Sequence, residues 1–153
     1  KRLVWIGNSR SGDYIETLKR YACQMSVEFE PRLRATDNEI IDLLNRARLM
    51  AYAPRLEPFG YAPLEANACG LPVVGVAEGG LRETIMEGVN GLLVAPRAKA
   101  MAEAIDSLMV DPAYADRLGR AGREFAADRW SLPAAIDRLE QGFIELLDRS
   151  SAK

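Results

Sequence analysis

Two glutamates eight positions apart, Glu57 and Glu65, flank the run Pro58-Phe59-Gly60-Tyr61. A carboxylate only accepts hydrogen bonds, so each glutamate suits sugar hydroxyls. The backbone N–H groups of Phe59, Gly60 and Tyr61 fall where a helix should begin, and a helix N-terminus offers free donors to phosphate oxygens. Gly60 lets a ligand approach the backbone closely. Such a set suits a polyhydroxylated, negatively charged ligand. The same spacing also accommodates Glu57 as a helix-dipole partner and Glu65 as a solvated helix residue, and spacing alone leaves both open. A second glycine turn, Glu78-Gly79-Gly80, opens another helix with Glu83 in its first turn. Either Gly79 and Gly80 let the chain pass close to the ligand, or they make a tight turn between strand and helix.

The elements that must position these residues follow from the apolar pattern. Leu3-Val4-Trp5-Ile6-Gly7 reads as a buried strand, and Tyr14, Leu18, Tyr21, Ala22 and Met25 give helical spacing over 13–25. Val27 to Phe29 is a short strand, and Pro31 to Arg34 a loop. Thr36-Asp37-Asn38-Glu39 has the capping-box pattern ahead of an apolar face from Ile40 to Ala47. Leu49 to Ala53 is a strand, followed by the helix that carries Glu65, with Gly70 placed as its left-handed terminator. Further strands are expected at Pro72 to Val76 and Leu92 to Val94, with a short helix from Leu81 to Met86 between them. Helices follow over 99–110, 114–128 and 133–149, with Pro112 and Pro133 suited to helix starts.

Strands alternating with helices at this spacing imply an α/β fold: a Rossmann-like parallel sheet with helices on both faces, followed by C-terminal helices. Ligands in such sheets bind beyond the carboxyl ends of the strands. Both glycine-bearing turns lie at such ends.

The length of 153 residues corresponds to one domain. The net charge of −2 gives no electrostatic case for nucleic acid or an anionic membrane. No apolar run is long enough to span a bilayer. There is no histidine, which removes Ser-His-Asp and Cys-His chemistry and most zinc sites from this chain. Cys23 and Cys69 fall in expected helices among apolar neighbours and read as buried free thiols. The loop from Gly7 to Gly12 lacks the P-loop lysine and reads as an ordinary turn. Arg32 and Arg34, after a strand end, face either an anion or solvent. Trp130, between two helices, reads as core packing. Arg117, Arg120, Arg123, Arg129 and Arg138 alternate with acids as solvated helix faces.

The run from Glu57 through Glu65 to Val74, with Gly79-Gly80-Leu81-Arg82-Glu83-Thr84-Ile85 and Gly88-Val89-Asn90-Gly91-Leu92-Leu93-Val94, resembles the Glu-x7-Glu region of glycosyltransferase family 4 (group 1), whose fold is GT-B. The resemblance covers most of the chain. It implies the C-terminal donor-binding domain of a retaining, metal-independent hexosyltransferase that needs no cofactor. Its substrate would be a UDP- or GDP-linked sugar. Glu57 would take the catalytic position, contacting donor-sugar hydroxyls and supporting the sugar electrostatically. Phe59, Gly60, Tyr61, Gly79 and Gly80 would line the donor, Glu65 would grip the ribose diol, and Arg32 and Leu33 would lie near the base. It also implies a cytoplasmic parent protein, or one peripheral to a membrane, whose N-terminal domain binds the acceptor.

Three departures accompany the resemblance. By the resemblance, the family's phosphate-pairing Arg and Lys would lie in a first strand-loop ahead of the matching region. The acceptor domain would likewise lie outside this sequence. Arg55 stands where the family has a serine, either as a solvent charge or as a contact to the absent domain. Removing a central strand would leave a gap, so the resemblance implies either self-association or repacking of the Leu3–Gly7 strand against the Leu49–Ala53 strand. The alternatives in function are half of a non-hydrolysing nucleotide-sugar epimerase and a non-catalytic α/β binding module.

Overall fold

A computed structural model describes residues 1–8 and 12–151, with side chains described through 149. Ser9, Arg10 and Ser11, the centre of the Gly7–Gly12 turn, lie outside the described residues. The chain divides into two compact units, Lys1–Leu43 and Leu44–Lys153.

The first unit is a βαβ motif. Strand β1 (Arg2–Gly7) leads to helix α1 (Gly12–Gln24) and then to strand β2 (Glu28–Leu33), which lies parallel to β1. The register pairs Leu3 with Phe29 and Trp5 with Pro31. The expected loop at Pro31–Arg34 is therefore strand as far as Leu33. Proline donates nothing to a ladder, but β2 pairs only with β1 among the described residues, so Pro31 sits where a missing N–H is tolerated. Glu30 bridges Arg2 and Arg32 across this sheet. Helix α2 (Asp37–Arg46) closes the unit and runs past its boundary. Its capping box forms as expected: the Thr36 N–H donates to Glu39 Oε2 (2.8 Å) and the Glu39 N–H to Thr36 Oγ1 (3.4 Å).

The second unit holds strands β3 (Met50–Tyr52), β4 (Val73–Val76) and β5 (Gly91–Val94), all parallel, in the order β3-β4-β5. Helix α3 (Tyr61–Ala68) joins β3 to β4, and helix α4 (Leu81–Thr84) joins β4 to β5. Helices α5 (Ala98–Val110), α6 (Pro112–Trp130) and α7 (Leu132–Ser151) follow. Every residue of β4 is buried. Strand alternation puts Val74 and Gly75 on opposite faces. Val74 packs with Leu108 of α5 and Leu118 of α6, whereas a Cβ at Gly75 would lie 2.5 Å from Ile85 Cδ1. Both faces of the strand are thus covered, as a parallel sheet requires.

Several expectations are corrected. The short helix ends at Thr84, not Met86, because Ile85 is extended. Cys23 is exposed, on the outer side of α1, and Cys69 is the half-buried C-cap of α3 instead of a helix-interior core residue; both thiols are free. Among the described residues, β1 and β2 form one ladder and β3, β4 and β5 another. Gly70 does terminate α3 at φ 75°, and Pro112 does open α6, where Asp111 caps the Tyr114 N–H at 2.9 Å. Helix α7 leaves Leu132, Leu139, Phe143, Leu146 and Leu147 exposed.

A buried amide pair ties the second unit together. Asn67 of α3 and Asn90 before β5 are both fully buried. Asn90 Nδ2 donates to Asn67 Oδ1 (2.9 Å) and to the Thr84 carbonyl (3.0 Å). Asn67 Nδ2 donates to the carbonyls of Leu71 and Asn90 (3.1 Å each), and the Met86 N–H donates to Asn90 Oδ1 (2.7 Å). Helix α6 passes over this network at two glycines. A Cβ at Gly119 would lie 2.1 Å from the Gly70 carbonyl oxygen, and one at Gly122 2.7 Å from Asn67 Nδ2.

Asn90→Ala strands several buried polar groups and should cost about 3 kcal/mol in denaturant unfolding. Gly119→Ala forces helix and backbone apart and should cost about 2 kcal/mol. Gly142→Ala, where a Cβ would meet nothing within 4 Å, should leave stability unchanged or raise it by up to about 1 kcal/mol.

Candidate functional site

Strand β3 ends at Tyr52, and the chain turns through Pro54 to Glu57 before entering α3 at Tyr61. Two residues hold unusual backbone. Leu56 has φ 56° and is 90% exposed, an arrangement costly for a branched side chain in the left-handed region. Gly60, the N-cap of α3, has φ 101°, and it leaves the helix without a side-chain cap. A Cβ there would also strike Leu81 Cδ2 at 2.7 Å, so only glycine serves.

The Glu57 carboxylate is half-buried and organises this turn. Its Oε2 accepts from the Tyr52 hydroxyl (2.9 Å). Its Oε1 accepts from the Gly60 N–H (3.0 Å) and, more weakly, from the Phe59 N–H (3.5 Å). Two of the three N–H groups that the sequence assigns to a ligand are therefore taken up by Glu57. At the start of α3 the residues in the first turn are Tyr61, Ala62 and Pro63, and Pro63 has no N–H; the donors open to a ligand there are those of Tyr61 and Ala62. Glu65 lies one turn further on, exposed on the same helix face as the exposed Tyr61.

Tyr52 is a residue that sequence reasoning missed. Burial first, then its hydrogen bond to Glu57 and the charges of Glu57 and Glu65, push its phenol up to about 12. The hydroxyl thus stays protonated and able to donate at neutral pH. The signal in the sequence was faint: a tyrosine ending a strand five residues before a glutamate. Burial also raises the Cys69 thiol above its ordinary value, with the Glu65 charge adding to it and Arg123 opposing it.

Gly79 and Gly80 approach backbone, not open space. A Cβ at Gly79 (φ 51°) would lie 2.3 Å from the Glu57 carbonyl oxygen, and one at Gly80 would lie 2.4 Å from Phe59 Cα. The Gly80 N–H donates to the Glu57 carbonyl (3.0 Å). The two turns at the carboxyl ends of β3 and β4 are thereby zipped together. Beside them an open cleft is lined by Arg55, Leu56, Ala77, Glu78, Gly79 and Arg82. The Arg82 guanidinium is held by the Ala77 carbonyl (2.6 and 3.1 Å), and Arg55 is exposed. Arg32 and Leu33 belong to the first unit, at the end of β2, with Arg32 paired to Glu30 and Leu33 exposed.

Residues 2–125 match the sequence profile described as Glycosyl transferases group 1. The chain belongs to that family. Among curated relatives of this glycosyl transferase domain, the alpha-1,3/1,6-mannosyltransferase ALG2 of Rhizomucor pusillus is 36% identical over 104 residues, 68% of this chain and 23% of that protein. The D-inositol 3-phosphate glycosyltransferase of Frankia alni is 40% identical over 111 residues, 71% of this chain and 26% of that protein. The chain thus spans about a quarter of the length of these relatives. Sucrose-phosphate synthase from Thermosynechococcus elongatus superposes with a TM-score of 0.76 at 31% identity, covering 96% of this chain and 39% of that one. Anabaena HepE, crystallised with UDP and glucose, gives 0.74 at 27% identity, with 95% and 39% covered. The parallel α/β architecture with trailing helices resembles the C-terminal Rossmann-like domain of GT-B glycosyltransferases.

In an ultraviolet pH titration one of the five tyrosines should ionise last, near pH 12, and Tyr52→Phe should remove that step. A folded-state value raised above the ordinary 10.0 means the linked stability is complete below pH 10 and is lost as pH rises through about 12.

Proposed function

We propose that this chain is the C-terminal, donor-binding domain of a family 4 glycosyltransferase that moves a hexosyl group, with retention, from a UDP- or GDP-linked sugar. The observation that carries this reading is the Glu57 turn. One carboxylate is fixed by three donors beside an uncapped helix start, and a second carboxylate, Glu65, stands one turn along that helix. The names of the relatives, which act as mannosyl and glycosyl transferases, and the UDP and glucose in HepE support it.

In this reading the Tyr61 and Ala62 N–H groups meet the sugar and diphosphate, and Glu65 takes the ribose diol. Gly79 and Gly80 shape the donor cavity by holding the Glu57 turn in place. Glu57 orients the sugar and supports positive charge on it as the bond to the diphosphate breaks. Fixed dipoles aimed at developing charge are worth more than mobile ones, because they need not reorganise during the reaction. Glu57 is a positioned carboxylate here, not a nucleophile. Its donors are already in place before substrate arrives, which is what orientation-based catalysis needs. The acceptor is bound mainly by a separate N-terminal domain, and the whole protein works in the cytoplasm or peripheral to a membrane, without metal or other cofactor.

Calorimetric titration with UDP, GDP and their sugars tests this. Wild-type protein should bind one nucleotide series, and a chelator should leave the affinity unchanged. Glu65→Ala should weaken binding at least about tenfold, equivalent to about 1.4 kcal/mol. Equal binding by wild type and Glu65→Ala would remove the ribose contact, and no binding by folded wild type would remove the donor-site reading.

A further inference from the structure

Phe59 is the centre of a three-ring stack. Its ring meets Tyr61 edge-on at 4.9 Å (61°) and Trp130 edge-on at 5.0 Å (73°). Tyr61 is 72% exposed at the mouth of the site. Trp130 is the last residue of α6 and is half-buried. Its ring also carries the Arg138 guanidinium of α7, 5.5 Å from the ring centroid, and that guanidinium donates to the Arg129 carbonyl. The stack therefore runs from the α6–α7 corner to the start of α3.

The indole Nε1 of Trp130 is buried without a hydrogen-bond partner. Burying an unpaired donor is unfavourable, and a leucine or phenylalanine would fill space there without that penalty. What an aliphatic side chain would not supply is an aromatic edge or face for Phe59. Edge-to-face pairs are directional and contribute about 0.5–1.5 kcal/mol each beyond area burial. Phe59 precedes Gly60, whose φ of 101° is off the ordinary path of the chain. A ring held by two aromatic neighbours keeps that peptide from relaxing, and with it the N–H groups that Glu57 grips.

We propose that Trp130 is a positioning residue for the donor site: clamped against Phe59, it holds the Phe59-Gly60-Tyr61 turn in its binding conformation and senses occupancy of that turn. This rests on the donor-site reading above. A nucleotide sugar touching Tyr61 and the Phe59–Gly60 backbone alters the packing of Phe59 on the indole, and the indole emission reports it.

The test uses UDP-glucose and GDP-mannose with wild type, Trp130→Phe and Trp130→Leu, each followed by calorimetry and by tryptophan emission. Trp130→Phe keeps a ring and loses an N–H that has no acceptor, so its affinity should stay within about twofold of wild type. Its emission, now from Trp5 alone, should not respond to ligand. Trp130→Leu keeps apolar volume without a ring and should bind about five- to tenfold more weakly. Wild-type emission should change along the calorimetric isotherm. Calorimetric saturation with unmoved wild-type emission, or wild-type affinity in Trp130→Leu, would overturn the role of Trp130 and leave the donor site standing. Absence of calorimetric binding by folded wild type would overturn both.

Discussion

The Asn67–Asn90 amide pair is the interaction on which the second unit depends. Two side chains, both fully buried, bond to each other and satisfy backbone groups from three places: the entry to β4, the end of α4 and the turn before β5. Each of those segments carries backbone groups that a helix or ladder end leaves unpaired, and burial makes an unpaired group costly. Apolar residues could fill the same volume but could not answer those groups. The network also explains the glycines of α6, since Gly122 lets that helix lie directly on Asn67 and Gly119 on the Gly70 carbonyl. Helix α3 is thus held from within by amides and from outside by a smooth helix face.

A helix held this firmly can present an open N-terminus. The turn before it is organised by Glu57, which spends its oxygens on Tyr52, Phe59 and Gly60. The adjoining turn contributes Gly79 and Gly80, whose missing side chains let backbone rest on backbone. These two loops would otherwise be among the more mobile parts of an α/β unit. Here they are cross-bonded at the carboxyl ends of β3 and β4, where parallel sheets place their ligands. The exposed Leu56 at φ 56° marks where the strain of the arrangement is stored.

Local rules carried much of the fold. The Thr36/Glu39 box, the left-handed Gly70 and Pro112 at a helix start depend on neighbours within a few residues, and each formed as the sequence implied. Most element types held for the same reason. The failures were of another kind. Pro31 reads as a strand breaker until the pairing shows that β2 has one ladder neighbour and tolerates a missing donor. Cys23 sits among apolar residues in sequence, yet the helix turns it outward. Asn67, inside Ala66-Asn67-Ala68, lies three residues beyond the buried Leu64, a position that periodicity marks as inward-facing, but its partner Asn90 is 23 residues away.

The sequence by itself determined the alternation of strands and helices, the short helix beginning at Tyr61 and the placing of Glu57 and Glu65 about it. These follow from periodicity, capping and turn chemistry, which act over a handful of residues. Only the tertiary structure decided what those groups do in the folded chain. Glu57 turned inward to Tyr52 and to its own turn, Gly79 and Gly80 closed on backbone, and Trp130 came to lie on Phe59 from 71 residues away. The physical reason is that hydrogen bonds and ring contacts are satisfied by whatever lies nearest in space, and distance along the chain does not record that.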